Sequence, residues 1–200
     1  MIAPQGVFSA ILLAAVSQVV LHSAFAAEGD AVIKWNANAG TTAIKACMNA
    51  DSDNDPFHES RMYAMMHIAI HDALNAIDRR YQPYVYDTKA ALGTSPDAAI
   101  AAAARDVLDK GIAELPAYIF KVDCINAGRA NVEAAYKAAI GAISDTPAKK
   151  QGIALGREAA AAIIAKRAGD NSDGQFINKE CPKPEPGKYQ CTPGFPFVAF

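Results

Sequence analysis

The sequence predicts an all-α protein of about five helices that form part of a helical bundle and lead into a proline-rich C-terminal arm. Alanine makes up about a fifth of the 200 residues, a composition that favours closely packed helices. Apolar residues recur at steps of three and four, and no segment alternates as a strand would. With 52% apolar and 20% charged residues, the chain is long and apolar enough to fold as one ordinary domain.

Residues 1–27 are expected to be a signal peptide. The apolar stretch from Val7 to Leu21, about fifteen residues, is shorter than the ~20 residues that span a bilayer. Ala24 and Ala26 follow it and fit the A-x-A pattern of a signal-peptidase site. No Lys or Arg precedes the stretch, so a retained N-terminal anchor helix is the alternative. We expect an exported protein, periplasmic or secreted, with no membrane segment beyond this leader.

The first two helices are predicted from Ala31 to about Met48 and from Pro56 to Arg80, separated by an acidic turn over 51–55. Asp55 has the position of an N-cap, with proline as the first helical residue. The second helix has the strongest apolar period of the chain, carried by Met62, Met65, Met66, Ala69, Ala73, Ala76 and Ile77. Arg79 and Arg80 suit the negative end of that helix.

Three further helices follow a connector over 81–94. Ser95-Pro96-Asp97 repeats the start signal and predicts a third helix over 98–115, which Pro116 ends. A fourth is predicted over 117–143. Thr146-Pro147 opens a fifth, which runs to Ala168 and stops at Gly169. The helical domain is therefore predicted over residues 28–169.

Residues 170–200 are predicted to form the proline-rich arm, because they lack a helical period and hold five prolines from Pro182 to Pro196. The arm ends in an apolar, aromatic-rich stretch over 193–200, which we expect either to fold back on the bundle or to belong to a larger body. The net charge of −2 gives no electrostatic case for nucleic acid or an anionic membrane as the main partner.

The four cysteines all follow the leader, and an even number in an exported chain suggests disulfides. Four cysteines allow three pairings. Cys181 and Cys191 flank a short proline-rich segment and are predicted to pair, which leaves Cys47 with Cys124. Without export, four unpaired thiols are the alternative. No C-x-x-C spacing favours a structural zinc or redox site.

His67 and His71 stand four residues apart on the second helix, beside Asp72, and are weak candidates for metal ligands. Ile68 occupies the place of the glutamate in an H-E-x-x-H metalloprotease, and hydrogen-bonded core residues are the favoured interpretation. No G-x-S-x-G motif, phosphate-binding glycine loop or calcium loop is present. No catalytic and no cofactor-binding residue is therefore assigned.

The segment from Ser60 to Ile77 (SRMYAMMHIAIHDALNAI) resembles the N-terminal helical hallmark of bacterial vanadium-dependent haloperoxidases, relatives of the type 2 phosphatidic acid phosphatases. Further segments resemble the same proteins in the same order and cover nearly all of the chain after the leader: Val32–Asn36, Tyr81–Tyr84, Ser95–Ala99, Gly152–Gly156, and Pro186–Tyr189 with Thr192-Pro193. The resemblance implies a helical scaffold in which His67 and Asp72 serve packing or hydrogen bonding.

The family's chemistry, peroxide-driven oxidation of halide at bound vanadate, belongs to a part that this chain does not match. There a Lys, two Arg and backbone amides hold the oxyanion, and two histidines act beside it, because a multiply charged anion needs several charge-assisted donors. This sequence has no Arg-Pro and no Pro-Ser-Gly-His motif, and its last histidine is His71. The resemblance implies vanadate for the complete protein and no cofactor in this chain.

Three hypotheses are open at this point. In the first, the chain is the N-terminal scaffold of a haloperoxidase-like protein, inactive alone and prone to self-association, whose partner is a missing C-terminal catalytic half or a second chain. In the second, the parent is a phosphatase of the same superfamily, which hydrolyses phosphate esters. In the third, the chain is a non-enzymatic exported helical module that binds a partner or a metal through His67 and His71.

Overall fold

The computed structural model describes residues 30–49, 56–116, 120–170, 172, 183 and 185–187. These residues form five helices and no strand: α1 (Ala31–Lys45), α2 (Pro56–Ile77), α3 (Pro96–Ala113), α4 (Val122–Gly141) and α5 (Pro147–Arg167). The predicted all-α class is confirmed. Within the described ranges, no helix combines the length and the apolarity that crossing a bilayer requires. The predicted signal peptide lies outside the described residues, as does most of the proline-rich arm.

Helix α3 is the centre of the bundle, and it packs against all four other helices. Its first half is almost entirely buried and consists mainly of alanines, at positions 98, 99 and 101–104. Small side chains let neighbouring backbones approach, so this helix can be surrounded without leaving voids. The alanines of α3 are therefore explained by its central position in the bundle.

Helix α5 packs on α3 through two glycines one turn apart. A Cβ at Gly152 would lie 2.8 Å from the Ala98 Cβ, and a Cβ at Gly156 would lie 2.8 Å from the Ala103 backbone nitrogen. Both distances are shorter than real side-chain contacts, so glycine is required at these positions by the close approach of the helices.

The main apolar core draws residues from all five helices. It is filled by large side chains from several elements, among them Met48, Met66, Leu108, Ile112, Phe120 and Ile163, all less than 2% exposed. A smaller cluster around Ala73, Ala99 and Leu155 joins α2, α3 and α5. Burial of this apolar surface is the main source of the bundle's stability.

The predicted start signals of α3 and α5 are confirmed, although α3 begins at Pro96 and ends at Ala113, each two residues before the predicted bounds of 98 and 115. The hydroxyl of Ser95 accepts a hydrogen bond from the Ala98 amide at 3.3 Å, and that of Thr146 accepts one from the Lys149 amide at 3.3 Å. In both helices proline follows the cap. At the other end, α5 stops before Gly169, which adopts a positive φ of 67°. Local capping chemistry therefore defines these helices.

Helix α2 ends at Ile77, three residues before the predicted end at Arg80. The reason is the side chain of Asn75, whose Oδ1 accepts hydrogen bonds from the backbone amides of Arg80 (3.2 Å) and Tyr81 (3.0 Å). These amides turn back to the side chain instead of continuing the helix. Arg80 then pairs with Asp78, and Arg79 with Asp87.

Helix α1 ends at Lys45, slightly before the predicted Met48, because Cys47 adopts a left-handed backbone with φ of 60°. Cys47 forms the predicted disulfide with Cys124 in the first turn of α4, and their Cα atoms are 5.6 Å apart. This bond ties the end of α1 to the start of α4, which begins at Val122 rather than at 117. The predicted pair Cys181–Cys191 lies outside the described residues.

Candidate functional site

Asp72 on α2 is completely buried and holds the connector between α2 and α3. Its Oδ1 accepts the amide of Tyr84 at 2.7 Å, and its Oδ2 accepts the amides of Val85 and Tyr86 at 2.9 and 2.8 Å. Buried carboxylates need such partners because desolvation of an unpaired charge is costly. The carboxylate is thus committed to three backbone amides.

His71 contributes to the same connector one helical position earlier. Its Nε2 lies 3.1 Å from the carbonyl oxygen of Gln82 and 2.8 Å from Nδ2 of Asn75. Its ring also stacks at a tilt against Tyr81, with centroids 6.2 Å apart. Asp72, His71 and Asn75 therefore all bind the segment after α2, and we call these three residues the α2 polar cluster.

His67 contacts a different element, helix α1. Its Nε2 lies 3.0 Å from Oδ1 of Asn36, which joins α2 to α1. His67 and His71 thus bond to separate elements. Among the described residues, no three or more His, Cys, Asp or Glu side chains are grouped as a metal site would require. In this structure His67 and Asp72 form hydrogen bonds, as the resemblance implied for these two residues, and His71 forms them as well.

A cleft of about 740 Å³ opens where α2, α3 and the end of α5 meet. Its apolar side is formed by Met48, Met62, Met65, Val107 and Ile164, and its polar side by charged residues of all three helices. A second cleft of about 560 Å³ adjoins it and shares Arg61, Met65, Arg167 and Asp170. This site was not predictable from the sequence, because Arg167 belongs to a pattern of charged residues that is typical of an exposed helix surface.

Two arginines converge on one carboxylate at the polar side of the cleft. The Nη2 of Arg61 donates to Asp170 Oδ1 at 3.1 Å and to the Arg167 carbonyl at 3.0 Å. The Nε of Arg167 lies 3.0 Å from Asp170 Oδ2. Burial disfavours the charged form of Asp170, but hydrogen bonds from Arg61 and Ser172 outweigh it and hold the pKa of that carboxyl below its ordinary value.

The described residues do not fit the vanadate site of the haloperoxidase family. That site needs several cationic donors free to face one oxyanion. Here the guanidinium groups of Arg79, Arg80, Arg105 and Arg129 each pair with a neighbouring carboxylate. The one convergent pair among the described residues, Arg61 and Arg167, offers two guanidinium groups to one carboxylate, which is fewer cationic donors than that oxyanion site uses.

Comparison with protein-family models, with curated proteins and with solved structures gives no match to this chain. A function for the chain is therefore inferred from its own sequence and from the geometry of its described residues.

Proposed function

We propose that this chain is the N-terminal helical scaffold of an exported protein related to the vanadium-dependent haloperoxidases. In this proposal, the oxyanion-binding half lies on a further segment or on a second chain. The observation that carries the proposal is the α2 polar cluster. It joins two sequence segments that resemble the family, the helical hallmark over 60–77 and the turn over 81–84, into one hydrogen-bonded unit.

The cluster explains why polar residues are needed on a buried helix. Asp72 and Asn75 are both buried, and both bind backbone amides of the connector. Such an arrangement fixes the conformation of a loop that has no regular secondary structure. This is the role of a scaffold, and it involves no catalytic group.

The outer surface of the bundle is compatible with a further half. Ile33 and Ile44 on α1 and Val122 at the start of α4 are each more than 60% exposed. Among the residues of helix α4, only Gly128 and Val132 are buried. The outer faces of α1 and α4 are therefore available to contact a further half.

Export is part of the proposal and is supported by the disulfide between Cys47 and Cys124. Disulfides persist in oxidising compartments and are rare where thiols are kept reduced. The leader predicted over 1–27 agrees with this location. Vanadate, when bound in the missing half, would supply peroxide activation, and no residue described here is assigned to hold it.

The test is the intact mass of the native protein from its own host, measured with and without denaturation. We expect either a chain clearly heavier than these residues without their leader, or a stable complex with a second chain. The purified native species is then assayed for vanadate-dependent oxidation of bromide by peroxide and for hydrolysis of p-nitrophenyl phosphate.

Bromide oxidation that is lost on vanadate removal would support the haloperoxidase proposal. Phosphate ester hydrolysis without halide oxidation would instead identify a superfamily phosphatase. A native species with the mass of this chain alone, without a partner, would contradict both and favour the non-enzymatic helical module.

A further inference from the structure

The cleft between α2, α3 and α5 is lined by both apolar and charged side chains. Its apolar lining includes three methionines, of which Met62 and Met65 are 4% and 8% exposed and Met48 is fully buried. Methionine side chains are flexible and polarisable, so a lining made of them can rearrange to fit apolar ligands of different shape. The volume of about 740 Å³ is within the range of roughly 300–1,000 Å³ that is typical of small-molecule pockets.

The cleft also presents cationic donors, and Nη1 of Arg61 lies 2.7 Å from the sulfur of Met65. Arg61 and Arg167 come from different helices, more than one hundred residues apart in sequence, and their guanidinium groups meet at Asp170. Lys110 also lines the cleft and pairs with Glu114, the residue directly after α3. The Nε of Arg61 is buried and has no hydrogen-bond partner among the residues that the structure describes, although buried donors are almost always paired.

Asp170 shows which kind of group the two arginines bind. Its carboxylate bridges them with one oxygen to each, and this is the geometry in which guanidinium groups bind carboxylates. The residue lies on a short turn after α5, directly behind Gly169, whose positive φ of 67° places the turn in a conformation that favours glycine. The side chain is 21% exposed, so it lies at the edge of the cleft and not in its interior.

We propose that this cleft binds an amphipathic carboxylate, such as a medium-chain fatty acid. The apolar chain would lie along the methionines of the cleft. The head group would take the place of the Asp170 carboxylate between Arg61 and Arg167. Asp170 thus acts as an internal substitute for the ligand head group and competes with it. This site is separate from the catalytic half of the proposed function and does not depend on it.

The test uses isothermal titration calorimetry of the 200-residue chain with sodium dodecanoate, below its micelle concentration. Dodecanol dispersed in carrier and dodecyltrimethylammonium serve as neutral and cationic ligands with the same chain. We expect dodecanoate to bind with a stoichiometry of one, and the other two ligands to bind at least about tenfold more weakly.

Three variants test the residues. Arg61→Gln should weaken dodecanoate binding at least about tenfold, because a charge-assisted hydrogen bond is lost. Asp170→Asn should strengthen it severalfold, because the competing carboxylate is removed, and this gain cannot be produced by misfolding. Arg129→Gln is the matched control, since that arginine pairs with Asp109 away from the cleft, and it should leave binding unchanged.

Absence of dodecanoate binding to the intact chain would overturn the proposal, whether the cleft is unsuited or already filled by another part of the protein. Equal binding of dodecanol would reduce the cleft to a non-specific apolar surface. Binding of inorganic phosphate as tight as that of dodecanoate would contradict the amphipathic ligand. An Asp170→Asn variant with weaker binding would show that the carboxylate does not compete with the head group.

Discussion

Gly156 on α5 lies against the backbone of Ala99 on α3 so closely that no methyl group fits beside its Cα atom. The same holds for Gly152 one turn earlier, which meets the Ser95 carbonyl and the Ala98 methyl group. These two glycines set the distance between the two most intimately packed helices of the bundle.

Replacing Gly156 with alanine should lower the free energy of unfolding by about 3 kcal/mol, because the helices must separate to admit the Cβ. Urea denaturation followed by circular dichroism measures this change. Gly141→Ala is the control, since Gly141 has nothing within 4 Å of a Cβ. There, helix propensity should raise stability by about 0.5 kcal/mol. Equal effects of the two substitutions would refute the close approach.

Asp72→Ala should lower the free energy of unfolding by about 4 kcal/mol, because it leaves the three connector amides without their buried acceptor. Asp72→Asn should cost about half as much, since one side-chain oxygen remains to accept. Hydrogen exchange should show loss of protection at Tyr84, Val85 and Tyr86 in both variants.

The control for these variants is Asp78→Ala. Asp78 is exposed and pairs only with Arg80 among its charged neighbours in the described residues, so the change in stability should stay below about 0.5 kcal/mol. If Asp78→Ala and Asp72→Ala had the same effect, the connector would not depend on the buried carboxylate.

Removal of the Cys47–Cys124 disulfide, by reduction or by replacing both cysteines with serine, should lower stability by about 4 kcal/mol. The bond closes a loop with a sequence separation of 77 residues, and the entropy of the unfolded chain increases accordingly when it is opened. Thermal melts with and without reductant measure the loss. Peptide mapping without reduction should recover this pair and tests the predicted Cys181–Cys191 pair; unchanged melts in reductant would contradict a stabilising bond.

Alkaline pH should destabilise the bundle through Tyr86. Burial, followed by the hydrogen bond to Glu158, raises the pKa of its phenol to about 12, against an ordinary value of 10.0. Because the folded pKa is the higher one, this stabilisation is complete below pH 10 and disappears as the pH rises towards 12. Burial and a hydrogen bond to Glu59 also raise the pKa of Tyr63, which adds to the effect in the same direction.

Absorbance at about 295 nm measures the ionisation of the tyrosines. In Glu158→Gln, one tyrosine should titrate at lower pH than in the parent protein, since the repelling carboxylate is gone. Glu114→Gln, which removes the exposed partner of Lys110 at the end of α3, should leave the titration unchanged. A titration curve unaffected by Glu158→Gln would exclude this origin of the shift.

Features that depend on neighbouring residues in the sequence were predictable. Ser95 and Thr146 cap their helices with amides three residues ahead, so their type and the following proline were sufficient to locate α3 and α5. The apolar period of α2 likewise predicted the buried face of that helix. The family relationship, in contrast, stays a prediction.

Features that depend on distant residues were not predictable. The end of α2 was placed too late because Asn75 binds amides beyond the helix, which no helical period reveals. The convergence of Arg61 with Asp170 joins residues 109 positions apart. Gly169 predicted that the chain turns after α5. The hydrogen bond of that turn to Arg61 depends on how the helices pack and was not predictable.

The central position of α3 has a consequence for biosynthesis. A growing chain emerges from its N-terminus, so α3 is complete well before α5 is available to cover it. At translation rates of roughly 5–20 residues per second, the alanine face that receives Gly152 and Gly156 stays open to solvent for seconds. During that interval the nascent chain offers an apolar surface to chaperones, and completion of α5 closes it.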